Sequence, residues 1–140
     1  MLFDLHNKIT LKRAISPVSV ADTTAQVSQI IDMQGHKSLV FAIATGSIAD
    51  ADATFTVLVE HGDVSNLSDA AAVPDDMLNG TEVLAAFQFD DDNECRKIGY
   101  RGDKRYVRLT ITPVANASAA LLSALAVMEP LNTPAANPPA

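Results

Sequence analysis

The stretch ATFTVLVE, residues 53–60, decides the fold. Phe55, Val57 and Val59 fall on one side, and Thr54, Thr56 and Glu60 on the other. A period of two marks a half-buried strand, one face on a core and one in water. Lys104–Thr112 repeats the pattern: Val107, Leu109 and Ile111 share one face, Tyr106, Arg108, Thr110 and Thr112 the other, and Pro113 closes the run. Glu82–Phe89 (EVLAAFQF) reads as another such strand, with Val83, Ala85, Phe87 and Phe89 inward. Ser38–Ala44 (SLVFAIA) is apolar on both faces, as in the central strand of a two-layer structure. Ala117–Met128 has the Ala and Leu content of a helix. Every clear element before it is a strand, so we read it as a last buried strand.

The remaining segments fit around these. Val18–Val20 and Ala25–Met33 are short extended pieces, and Pro17 interrupts any longer strand there. The polar connection His61–Thr81 holds one helical turn at Pro74–Leu78, with proline first and acids beside it, then a turn at Asn79-Gly80. Asp90–Glu94 is a polar turn, and Arg96–Tyr100 precedes Lys104–Thr112 as the first half of a hairpin. About six to eight strands separated by turn signals make an all-β chain, a β-sandwich or a barrel. The expected division is an arm over residues 1–14, a β domain over 15–129, and an extended or disordered tail over 130–140.

Composition narrows the function. A chain of 140 residues with 48% hydrophobic content suits one domain. Without tryptophan, its core must be aliphatic. The net charge of −7 opposes general binding to nucleic acid. The single cysteine, Cys95, allows no internal disulfide. The N-terminal residues carry charge and lack the apolar core of a secretory leader. No stretch approaches the roughly 18 apolar residues of a membrane span. A soluble protein made inside the cell is expected, with no membrane or nucleic-acid partner.

The charges are segregated. Ser38–Glu94 holds twelve acids and no Lys or Arg. Arg96, Lys97, Arg101, Lys104, Arg105 and Arg108 follow, opposed only by Asp103. Such patches steer association and set register, or else pair with the chain's own acidic loops.

Individual motifs favour structure over chemistry. Arg101-Gly102-Asp103 is the tripeptide read by adhesion receptors, yet a turn between two strands explains each residue. Asp90–Glu94 offers oxygens to a hard cation but lacks EF-hand spacing. His6, His36 and His61 have no metal-ligand spacing. His61 near Asp63 and Ser65 is the one arrangement writable as a catalytic triad. Cys95 beside Arg96 and Lys97 reads as a small core residue. Three glycosylation sequons, at Asn66, Asn79 and Asn116, read as turns and loops. No cofactor, metal or catalytic residue is expected.

VLVEHGDVSNLSDAAAVPDD (57–76) and DDDNECRKIGYRGDKRYVRLTITP (90–113) together resemble small virion-associated proteins of tailed bacteriophages. The resemblance implies a capsid decoration, or cement, protein with a jelly-roll-like β-sandwich. It would sit on the capsid exterior, bind the lattice of the major capsid protein, and associate with itself, as a homotrimer. On that view the partner-binding residues are Leu2, Phe3, Leu5, Lys8, Lys12 and Arg13 in the arm, and Arg101, Lys104, Arg105 and Arg108 in the basic hairpin. A neck, tail or head-completion component is the alternative. A host-surface or carbohydrate-binding module is a further one, for which a chain without tryptophan is poorly equipped.

Overall fold

A computed structural model describes residues 3–132 and 134–138. The chain order is β1 Thr10–Val20, β2 Gln26–Val27, β3 Ile31–Asp32, β4 His36–Ile48, β5 Thr54–Gly62, β6 Ala71–Ala72, β7 Leu78–Asn79, α1 Glu82–Ala85, β8 Phe87–Gln88, β9 Cys95–Tyr100, β10 Tyr106–Val114 and β11 Ala120–Pro130. Short 3-10 turns lie at His6–Lys8 and Asp75–Met77.

The strands form two antiparallel sheets. The first runs β1-β11-β4-β9-β7. The second runs β2-β10-β5-β6, with β3 also on β10 and β8 also on β5. This is the expected all-β sandwich. Its core interleaves Leu39, Phe41 and Ile43 of β4 and Leu122, Ala124, Ala126 and Met128 of β11 with Phe55, Val57 and Val59 of β5 and Val107, Leu109 and Ile111 of β10. Phe55 and Phe87 stack with centroids 4.7 Å apart. The ambiguous segment 117–128 is a strand from Ala120 onward. Its even-numbered residues from Ala120 to Met128 are buried, and helical propensity yields to pairing on both sides with β1 and β4.

Four local expectations are corrected. First, Thr10–Arg13 belong to the sandwich, not to a free arm, because they pair with Met128–Leu125. Second, Pro17 does not end β1. It lies where the register shifts between Ile15 and Val18, on an edge strand, where a missing N–H is tolerated. Third, Glu82–Phe89 is not one strand. Thr81 Oγ1 accepts a hydrogen bond from Leu84 N at 3.1 Å, capping α1, and only Phe87–Gln88 is extended. Val83 consequently points outward, 84% exposed, while Ala85 and Phe87 remain buried. Fourth, Pro113 does not close β10, which continues to Val114 paired with Thr54.

The helical turn has a structural task. β6 covers β5 at Glu60 and His61, and β8 covers it at Thr54 and Phe55. In the gap between them, Glu82 Oε2 accepts from Val59 N at 3.0 Å. A side chain thus takes one N–H of an edge that would otherwise offer a strand template.

Phe41→Ala is expected to lower unfolding stability by about 3–5 kcal/mol, since it empties a fully buried site. Val83→Ala should change it by less than about 0.5 kcal/mol. Urea unfolding of both variants checks the strand-to-helix correction directly.

Candidate functional site

The segment carrying Arg101-Gly102-Asp103 is not a hairpin turn. β9 lies in one sheet and β10 in the other, so residues 101–105 form an arch across the sandwich. Gly102 is there for closeness. A Cβ at this position would lie 2.5–2.6 Å from the ring and hydroxyl of Tyr100. Tyr100 cannot swing aside. It is 2% exposed, its hydroxyl accepts from Lys104 N at 3.0 Å, and it meets His61 Nδ1 at 2.9 Å. The His61 and Tyr100 rings stand edge to face, with centroids 5.6 Å apart.

Three of the four cations assigned to this segment are committed within the chain. Lys104 Nζ lies 3.1 Å from Asp63 Oδ2. Arg105 grips Asp32 with two parallel bonds, Nε–Oδ1 and Nη2–Oδ2, both 2.9 Å, and donates to Gln34 Oε1 at 2.7 Å. Its guanidinium also stands 5.0 Å over the Tyr106 ring. That fork holds the Asp32 carboxyl below its ordinary range. Arg108 pairs at 3.0 Å with Glu60, its cross-strand neighbour. Among the described residues, Arg101 is the arch cation with no ion-pair partner. The basic segment therefore clamps its own sandwich, as its pairing with acidic strands of the second sheet requires.

The acidic run stays at the surface, but several of its groups are engaged within the chain. Arg96 bridges Asp91 and Glu94. Asp92 Oδ1 accepts from Ile48 N at 3.3 Å, and Thr45 Oγ1 accepts from Glu94 N at 2.9 Å. Among the described residues no group of three or more side chains is placed to hold a metal ion. His61 faces Tyr100 rather than Ser65, so the triad written from sequence is not assembled. Cys95 is exposed rather than in the core. No described helix is long and apolar enough to cross a membrane.

The arm residues divide. Leu2 lies outside the described residues. Phe3 is 91% and Leu5 70% exposed, just before the turn that carries Lys8. Lys12 and Arg13 are in β1, and Arg13 Nη1 donates to Ser16 Oγ at 2.7 Å.

Sequence reasoning missed the outer face of the first sheet. Across its strands run two rows: Leu11–Val127–Val40–Gly99 and Arg13–Leu125–Ala42–Lys97. Leu11, Leu121 and Leu125 are each 44–46% exposed there. The signal was present in the double-faced apolar pattern of 38–44 and 117–128. In a two-layer sandwich each sheet has one outer face, so such strands cannot be buried on both sides within the monomer.

No protein-family model matches the chain, and no curated protein matches it. Solved structures do. The chain is similar to the N-terminal xylanase 10B modules of Clostridium thermocellum, at 16% identity and TM-score 0.44, over 87% of this chain and 22% of that one. The chain thus spans about a fifth of that protein. It is similar to the CBM22-1 xylan-binding domain of Paenibacillus barcinonensis Xyn10C, at 13% identity and TM-score 0.46, over 92% and 88% of the two chains. It is also similar to the SPBc2 prophage-derived protein YomS, at 11% identity and TM-score 0.45, over 85% and 92%. These likenesses concern overall β architecture and carry no ligand or activity across.

Two outcomes test the arch. Gly102→Ala should destabilise by about 1–3 kcal/mol through overpacking against Tyr100, measured by thermal or urea unfolding. Burial pushes the His61 imidazole below its ordinary 6.5; Lys104 adds to this, and Asp103, Asp63 and Asp69 oppose it. The unfolded chain therefore binds a proton that the folded chain resists. Stability should fall as pH drops from about 7 to 5, and His61→Gln should flatten that slope in urea titrations.

Proposed function

We propose that this chain is a non-enzymatic structural protein of a tailed-phage virion, a decoration protein that binds the assembled lattice of the major capsid protein. The observation that carries the proposal is the exposed apolar pair Phe3 and Leu5, projecting from a rigid sandwich immediately before β1. The resemblance over 57–76 and 90–113 supplies the class of partner. An arm of this kind can lay extended backbone and apolar side chains on a neighbouring subunit, where main-chain hydrogen bonds add to apolar burial. Repetition over many lattice sites multiplies modest contacts into avidity. A protein that binds only the assembled shell stabilises it by linkage. Arg101 is the arch cation positioned for acidic lattice surface. Lys104, Arg105 and Arg108 act instead on the rigidity of the body that presents the arm.

Co-sedimentation with undecorated capsids tests this. The full chain should pellet with shells and raise their melting temperature. A chain lacking residues 1–8, a cut that stops short of β1, should keep its own fold and lose at least about tenfold in shell affinity. Arg101→Ala should weaken binding by a smaller factor that shrinks as salt rises. Binding unchanged by the deletion would reject the arm. A chain that ignores shells but is retained by polysaccharide would move the assignment to a carbohydrate-binding module.

A further inference from the structure

We propose that copies of this chain associate head to tail, the α1 knob of one copy seating on the outer face of the first sheet of the next. The face is apolar at its centre, with Leu11, Leu121 and Leu125 half-exposed around Val40, Ala42 and Val127. Two cations flank its central row, while Glu94, beside Thr45, is paired with Arg96. Arg13 and Lys97 end the same cross-strand row at opposite margins, and Glu129, at the far end, is neutralised by Lys37 at 2.7 Å. Near Leu121 the surface opens into a groove between Val18, Gly46 and Ser123. Gly46 makes that groove: a Cβ there would lie 2.8 Å from Leu121 Cβ.

The knob has the complementary chemistry. Val83 and Leu84 are 84% and 73% exposed on α1, at the sandwich edge where it packs on β5 and β9. From Pro74 to Asn93 every charge is acidic; Asp91 is paired with Arg96, and Glu82 and Asp92 accept from backbone N–H groups, which leaves Asp75, Asp76 and Asp90 as the exposed acids without such a partner. An apolar tip amid acids fits an apolar face flanked by cations. Two faces meeting each other would bring cations against cations and leave the knob bare. The contact therefore joins two different patches, which makes closed rings or open arrays rather than a two-fold pair. This contact stands apart from the lattice reading, since its test uses no capsid.

The test is solution mass by light scattering or native mass spectrometry on the full chain. Wild type should exceed the 14.8 kDa of one chain. A face variant, Leu125→Asp, and a knob variant, Val83→Asp with Leu84→Asp, should each run as single chains with unchanged circular dichroism. Mixed together, they should form a two-chain species, because one intact face and one intact knob remain. Lys97→Glu, which leaves the apolar surface intact, should raise the dissociation constant several-fold, and adding Asp90→Lys should recover part of the loss. A monomeric wild type would overturn the proposal. So would a knob variant that assembles like wild type, or a mixture that stays monomeric.

Discussion

Everything in this molecule depends on the contact between two sheets built without tryptophan and without a disulfide. One layer of branched aliphatic side chains and alanines, with Met128, three phenylalanines and Tyr100, keeps the sheets together. Such a core works by close interdigitation, and each inward position must match the pleat of the opposing sheet. Where the chain leaves one sheet for the other it needs a fixed exit. Tyr100 supplies it, buried against Gly102 and bonded to His61 and to the backbone of Lys104. The arch is therefore a part of the core that happens to be visible from outside.

The arch also decides what the basic residues do. From sequence they read either as a surface awaiting a partner or as counter-charges to the chain's own acidic loops. In the fold, crossing between sheets carries Lys104, Arg105 and Arg108 over Asp63, Asp32 and Glu60. Segregation of charge along the chain becomes neutralisation in space. Exposed pairs of this kind contribute little in water singly, but the bidentate grip of Arg105 fixes β3 to β10 at a defined register.

The legible parts of the fold were those governed by a period. β5 and β10 follow from strict alternation, and β4 from its continuous apolar run. The misread parts were governed by single local bonds. Glu82–Phe89 alternates like a strand, yet one threonine cap and one carboxylate bonded to Val59 turn its first half into a helix. Pro17 looked like a stop because edge position and register shift are not visible in one sequence. For the candidate site, charge could be read but pairing could not, since the partners lie 41 to 73 residues away. The outer apolar face was legible in principle. It hid behind the assumption that a doubly apolar strand must be interior.

The edges of the sandwich have a consequence for how the chain behaves when abundant. Pro17 and two register shifts break the ladder of β1, and the Gln29 side chain occupies the carbonyl of Arg13. On the second sheet, Glu82 takes the Val59 N–H in the stretch of β5 between β8 and β6. With these bonds in place β1 and β5 are poor templates for another molecule's strand, so contacts between copies at these two margins run through side chains rather than through a continued sheet.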